Sequence, residues 1–342
     1  MNRILTRATL AVGLAVGCAT SVQAAAVPPF DGATGWLNAK PLVDADLRGK
    51  VIVVNFWTYS CINSLRQVPY VRAWAEKYKN EGLVVIGVHS PEFGFERDAG
   101  NIQRAVGEYG VTYPVAIDSD HRVWNTFHNE YWPALYFIDA KGMVRHAEFG
   151  EGNYDKSERL IRQLLAEAGH KPVEGPLVAP TGQGAEAPAD TDDERSPETY
   201  TGYGRTEQFA SAGGVVQDQR HAYEAPRNLP LNHWGLAGDW TMGREFATSH
   251  GPGSRIVYRF HARDLHLVLG PAAKGASLRY RVTMDGKPPG EAHGVDTDAN
   301  GNGTISQPRM YQLIRQTPPI TDHVFEIEFL DPGAQAYSFT FG

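Results

Sequence analysis

Cysteine is scarce in this chain: two of 342 residues, Cys18 and Cys61. That number excludes a disulfide-stapled scaffold and a four-cysteine zinc site. Basic charge is not in excess either, with 32 Lys and Arg against 39 Asp and Glu and a net charge of −7. No field exists to hold a nucleic-acid backbone or an anionic membrane surface, so neither is an expected partner. Beyond the N-terminal segment no apolar run approaches the roughly 18 residues of a membrane span. The twelve histidines lack metal spacing of the His-Glu-x-x-His kind, and no metal or cofactor is assigned. There is no internal repeat. What is present is 42% hydrophobic residues, enough to build cores, in a length suited to two domains of roughly 150 residues each. The 36 glycines and 22 prolines indicate many turns and a β-rich part.

The first residues, Met-Asn-Arg-Ile-Leu-Thr-Arg, are followed by an apolar stretch from Ala8 to about Val22 and the small residues Ala24, Ala25 and Ala26. A positive start, a short apolar run and a small-residue cleavage site read as a secretory signal over residues 1–24, with cleavage after Ala24, or after Ala26 as second choice. The mature chain is then exported, periplasmic or extracytoplasmic, with no transmembrane segment once the signal is removed. A lipoprotein signal is the alternative, since Val16-Gly17-Cys18 resembles the end of a lipobox, but Ala15 stands where leucine is usual. Cleavage would discard Cys18 and leave one thiol.

From Lys50 the pattern alternates. Val51–Trp57 is a β-branched and aromatic run, residues 65–79 have helical spacing, and Leu83–His89 is a second buried strand, which together make a βαβ unit. A helix over Asp98–Tyr109, a strand at Val115–Ile117 and a helix over His121–Phe127 follow. Strands at Ala134–Ile138 and Met143–Phe149 flank the hairpin turn Asp139-Ala140-Lys141-Gly142, and a helix from Tyr154 to Ala168 ends at Gly169. The order predicts an α/β mixed sheet with helices on both faces over residues 25–170. Residues 171–198, rich in Pro, Gly, Ala, Thr and acid, read as a flexible linker. Over 199–342 period-two strands such as Ile256–Phe260, Leu265–Leu269, Leu278–Val282, Val324–Phe329 and Tyr337–Phe341 predict an all-β sandwich or jelly roll.

The sharpest local signal is Asn55-Phe56-Trp57-Thr58-Tyr59-Ser60-Cys61-Ile62-Asn63-Ser64. A buried strand ends and Cys61 sits where the next helix begins, a position whose free N–H groups and dipole favour a thiolate and lower the thiol pKa from about 8.5. The alternative is a small buried hydrophobe. Trp57 is read as strand-end core that also packs on the cysteine loop, and Glu92 as an exposed loop carboxylate.

Trp57 with Cys61 four residues later, and Trp132-Pro133 before a strand, resemble the thioredoxin fold. Residues of about 30–170 resemble exported TlpA/ResA-like thioredoxin domains and especially the extracytoplasmic part of DipZ-type proteins, through Trp57-Thr58-Tyr59-Ser60-Cys61-Ile62-Asn63, Gly87-Val88-His89-Ser90-Pro91-Glu92-Phe93 and Phe149-Gly150-Glu151-Gly152. The β-domain resembles the carbohydrate-binding-module-like domain that follows in DipZ-type proteins, through Tyr258–Leu265 and Phe325–Gly333. The resemblance implies Cys61 as the catalytic thiol and Pro133, in a cis bond to Trp132, as the residue facing it, with Trp57 and Ser64 as supports. It also implies thiol- or disulfide-containing protein partners, an external reductant thiol, and a glycan for the C-terminal domain.

This chain departs from the family where a Cys-x-x-Cys pair is usual: it has Cys61-Ile62-Asn63-Ser64. A dithiol resolves its own mixed disulfide, whereas a single thiol needs a second sulfur from outside. A monothiol exchanger or isomerase, a binding protein with a residual thiol, and a form whose resolving cysteine was replaced all fit. Thr58-x-x-Cys61 also matches half of the peroxiredoxin signature, with Val54 where its proline belongs, so a one-cysteine peroxidase is the second enzyme reading. In the β-domain, Asp296-x-Asp298-x-Asn300-Gly301 resembles half of a calcium loop, but Gln307 replaces the bidentate Glu and a plain turn is expected. Trp234 and Trp240 are read as core aromatics or as a sugar-stacking platform.

Overall fold

The computed structural model describes residues 29–342, so the signal sequence expected over residues 1–24 and Cys18 lie outside the described residues. The first domain contains β1 (Gly35–Leu37), α1 (Asp44–Leu47), β2 (Val51–Trp57), α2 (Ile62–Tyr78), β3 (Leu83–His89), α3 (Ala99–Glu108), β4 (Val115–Ile117), α4 (Arg122–Thr126), β5 (Ala134–Ile138), β6 (Val144–Phe149) and α5 (Tyr154–Glu167). They form one mixed sheet of order β1-β4-β3-β2-β5-β6, in which β2, β3 and β4 are parallel and β1, β5 and β6 run antiparallel to their neighbours. The strands and helices expected between Val51 and Ala168 are present within a few residues. β1 was not anticipated, because three residues are too few to show an alternation.

β2 is central and buried along its whole length. Its side chains alternate between faces, as a strand's must. Val51, Val53 and Trp57 join a core with Val68, Val71, Trp74 and Tyr78 of α2 and Ile161, Leu164 and Leu165 of α5. Ile52, Val54 and Phe56 join the opposite core with Phe30, Leu47, Val123, Trp124 and Phe127. The sheet is therefore fixed from both sides, and the end of β2 points the following loop and the start of α2 outward at one edge.

Residues 171–198 are not the flexible linker that their composition suggests. Lys77 Nζ donates to the carbonyl of Pro176 at 2.6 Å, Arg162 donates to those of Gly175 and Pro176 at 2.9 Å each, and Val178 N–H donates to Glu158 at 2.7 Å. Ala185 is buried and Glu186 pairs with Arg72 at 3.1 Å. Charged side chains of α2 and α5 satisfy the backbone groups of a segment that has no core of its own, which lays it along the first domain.

The second domain comprises β7 (Thr199–Tyr200), β8 (Arg220–Tyr223), β9 (Trp234–Met242), β10 (Ala247–Ser249), β11 (Ser254–Phe260), β12 (Asp264–Pro271), β13 (Leu278–Met284), β14 (Asn302–Ile305), β15 (Arg309–Arg315), β16 (His323–Phe329) and β17 (Ala334–Phe341). All pairings among them are antiparallel, in the order β14-β13-β16-β11-β9-β10-β17-β12-β15, with β7 on β17 and β8 on β9. Trp234–Ala237 of β9 pair with β11 and Trp240–Met242 with β10, so one strand serves both halves of the arrangement. Gly238, at φ +87° between them, takes the turn of the strand that a side chain would oppose. The core enclosed is aromatic and aliphatic, with Trp234, Trp240, Tyr258, Phe325 and Phe339 fully buried. Trp234 and Trp240 therefore present no face to a sugar, and the platform reading is corrected. The Asp296–Gly301 stretch is a turn: Asp298 accepts from the N–H groups of Asn300 and Asn302, while Asp296 is held by Arg309. No helix among the described residues is long and apolar enough to cross a membrane.

The two domains share a smaller apolar cluster. Ile62 and Leu65 of α2 and Phe93 pack with Ala185, Val268, Met310 and Tyr337. Tyr337 lies 5.2 Å from Phe93 and 4.8 Å from Phe95 between ring centroids. Because Ile62 directly follows Cys61, this contact brings the second domain to the thiol.

Candidate functional site

Cys61 is the N-cap of α2, with extended backbone (φ −86°, ψ 117°), and its carbonyl accepts the first helical bond from Leu65 N–H at 3.1 Å. The residue is partly exposed, and its thiol donates to the carbonyl of Trp132 at 3.9 Å. The Trp132-Pro133 peptide is cis and Pro133 is buried beside the start of β5. Ser64 is buried one turn into the helix, and its hydroxyl accepts from Thr58 N–H at 3.4 Å. Cys61, Ser64 and Trp132-Pro133 thus converge. Trp57 does not: it is fully buried in the core, edge-on to His89 at 5.4 Å, and does not line the opening to the thiol. The indole at that opening is Trp132, whose ring packs at a tilt against Trp124 with centroids 4.2 Å apart and whose Nε1 donates to the carbonyl of Ser90 at 2.9 Å.

The loop that carries Cys61 is pinned from behind by a carboxyl group that sequence reasoning missed. Glu96, fully buried, accepts from the hydroxyls of Thr58 at 2.5 Å and Ser60 at 2.6 Å, and from the N–H groups of Ser60, Glu92 and Phe93 at 3.3, 2.6 and 2.9 Å. Burial pushes its pKa up to about 7 despite the hydroxyls of Ser60 and Thr58. His89, stacked on Tyr59 at 5.4 Å, is pushed down to about 3 by burial and is neutral at physiological pH.

Glu92 is not the exposed loop carboxylate expected. Its side chain is 6% exposed and accepts from Tyr200 Oη at 2.7 Å and from Arg205 at 2.8 Å, both of the second domain. Arg205 also lies 3.6 Å over the Tyr200 ring. Five residues after the thiol, Arg66 donates to Glu151 and to the carbonyl of Phe341 at 3.0 Å each. These partners lie 85 to 275 positions apart in sequence. No local spacing could have disclosed them.

Between the domains lies an open cleft of about 380 Å³ with Cys61 and Trp132 on one wall and Glu198, Tyr200 and Phe341 on the other. The electrostatics at the thiol reverse the sequence expectation. Burial pushes the Cys61 thiol well above its ordinary range, Glu92 and Glu198 push it the same way, and bonding from Ser64 pulls only partly against them. Glu198 is itself held high, by desolvation in the cleft and by Glu92. The helix start that was expected to favour the thiolate is outweighed by loss of water and two nearby carboxylates.

A cysteine capping the first long helix after a central strand, beside an X-Pro carbonyl in a sheet of this order, defines a thioredoxin-like thiol protein. Residues 25–147 match the AhpC/TSA family model, and residues 196–342 match that of the thioredoxin like C-terminal domain. Protein DipZ of Mycobacterium tuberculosis is 36% identical over 95% of this chain, and the chain spans 44% of that protein's length. Thiol-disulfide oxidoreductase YkuV of Bacillus subtilis is 32% identical over 41% of this chain and 95% of its own. The solution structure of a thioredoxin-like protein in the oxidised form shows 33% identity, covering 41% of this chain and 95% of that one, with a TM-score of 0.38. The chain belongs to the family of thioredoxin-like thiol-disulfide oxidoreductases.

Proposed function

We infer that this protein carries out thiol-disulfide exchange through a single thiol, forming mixed disulfides between Cys61 and partner proteins. The carrying observation is the placement of Cys61: at the N-cap of α2, against the Trp132 carbonyl, and open to a cleft. The thiolate attacks one sulfur of a partner disulfide, a new S–S bond forms, and the partner's other sulfur leaves as a thiolate. Ser64 has no sulfur to resolve the adduct, so an external thiol completes the cycle. Trp132 forms part of the wall along which the partner lies, with Pro133 buried behind it. The name and family of YkuV support the exchange reading, and the N-terminal pattern over residues 1–24 supports action outside the cytoplasm.

The peroxidase reading loses its second residue. Thr58 Oγ1 is committed to Glu96 at 2.5 Å and lies 3.3 Å from His89, within the buried network, instead of facing a peroxide at the thiol. The test is incubation of the mature protein with bis(2-hydroxyethyl) disulfide, followed by intact mass measurement. One adduct, absent in Cys61→Ser and released by an external monothiol, is expected. No adduct in the folded protein, with normal labelling after unfolding, would overturn the exchange reading.

A further inference from the structure

The cleft at Cys61 is built by both domains, and its charge is one-sided. Four carboxylates line it, Glu92, Glu130, Glu194 and Glu198, against the single guanidinium of Arg205. That guanidinium is already taken, since it pairs with Glu92 at 2.8 Å and covers the Tyr200 ring. Glu130 comes from the loop before β5, Glu194 and Glu198 come from the one stretch before β7, and none of the three has a salt-bridge partner among the described residues. Aromatic faces stand beside them: Tyr131, half exposed, and Trp132 line the same cleft as the thiol. Carboxylates with aromatic rings in a partly desolvated cleft attract a cation through both charge and ring quadrupole.

We propose that this cleft selects disulfides that carry a positive charge, an amine or guanidinium, next to the sulfur that Cys61 attacks. The inference rests on the exchange reading and names the substrate class for the same thiol. Its chemistry is self-consistent. Glu198, which opposes a thiolate in the empty cleft, is also one of the carboxylates that a cationic group would neutralise, so the matching substrate removes part of what restrains the nucleophile. The step is an exchange without net oxidation. Cys61 gives up its proton to solvent, its sulfur bonds to one sulfur of the disulfide, the old S–S bond breaks, and the departing amino-thiolate takes up a proton.

The test compares three disulfides of similar size on the mature wild-type protein: cystamine (cationic), bis(2-hydroxyethyl) disulfide (neutral) and 3,3′-dithiodipropionate (anionic). Each rate of Cys61 adduct formation is divided by that of mercaptoethanol with the same reagent, which removes intrinsic differences in reactivity. The expected result is a normalised preference for cystamine over the anion of about tenfold or more at low salt, shrinking as salt rises. The double variant Glu130→Gln, Glu194→Gln should cut that ratio several-fold. A peptide disulfide with arginine beside the half-cystine, run alongside, separates a polypeptide source of the cation from a small amine. Equal normalised rates for the three reagents would overturn the cation preference and leave the exchange reading intact. Adducts with none of them would overturn the exchange reading, and the inference with it.

Discussion

The guanidinium of Arg66, one and a half turns into the helix that starts at Cys61, donates at 3.0 Å to the carbonyl of Phe341 on the last strand of the second domain. Its other nitrogen pairs with Glu151 at 3.0 Å, and the arginine side chain is 3% exposed. One buried cation therefore ties the thiol-bearing helix, the loop after β6 and the second domain together. Removing it takes a charged partner from the partly buried Glu151 carboxylate and a donor from the Phe341 carbonyl. Arg66→Ala should lower stability to chemical denaturation by about 3 kcal/mol, and Glu151→Gln, which keeps an acceptor, by about 1 kcal/mol. Hydrogen exchange of the β17 amides should accelerate in Arg66→Ala. Unchanged protection of β17 would show that the apolar cluster around Tyr337 holds the domains without the arginine.

Glu96 makes stability depend on pH with a definite sign. Its folded pKa, about 7, lies above the ordinary 4.5 because the carboxyl is buried. The folded state thus holds the proton more tightly than the unfolded chain, so this group's contribution is fully present below about pH 4.5 and is lost as pH rises through about 7. The loss amounts to about 3 kcal/mol, spread over that window. Glu96→Gln should flatten that decline in denaturation curves recorded from pH 4.5 to 8. The variant and the wild type losing stability in parallel across the window would show that Glu96 is not the titrating group.

The succession of strands and helices from β2 to α5 was legible because β2, β3 and β5 are apolar runs whose length and flanks leave little choice of element; the order of the strands in the sheet was not. Cys61 was legible for the same reason, since a strand end and a helix start bracket it. The charge at the thiol was not. The helix start is local and visible in the sequence, but Glu198, Tyr200 and Arg205 reach the site only because Tyr337 and Ile62 meet in the domain interface. The segment 171–198 misled for a related reason. Composition reports that it lacks a core, and it is silent on Glu158, Arg162 and Lys77, which bind its backbone from another part of the chain.

Thiol reactivity should follow the upward shift at Cys61. Burial and the carboxylates Glu92 and Glu198 hold the thiol protonated where a free cysteine is already ionising. The rate of alkylation by iodoacetamide should go on rising above pH 9, without the plateau that a thiol of pKa near 8.5 reaches. Glu198→Gln removes one of the opposing charges and should raise the rate at pH 8 several-fold. A plateau near pH 8.5 in the wild type, with Glu198→Gln unchanged, would mean that water reaches the thiol freely and that the helix start governs it.

Ser64 stands where a second sulfur would complete the site. It lies three residues beyond Cys61, from the N-cap to the first turn of α2, and is fully buried. Residues three apart on a helix have Cα atoms about 5 Å apart, inside the roughly 4.4–6.8 Å range that a disulfide spans. Ser64→Cys should therefore form an intramolecular disulfide with Cys61 under mild oxidation, seen as a loss of two mass units and of the titratable thiols at positions 61 and 64. The consequence for exchange is larger than the local change. With a resolving sulfur inside the same turn, the mixed disulfide with a partner becomes short-lived, since intramolecular attack competes with any external thiol. Adducts that accumulate in the wild type should then clear without added thiol in Ser64→Cys. Persistence of the adduct in that variant, with the intramolecular disulfide otherwise able to form, would show that the bound partner blocks the path from position 64 to the Cys61 sulfur.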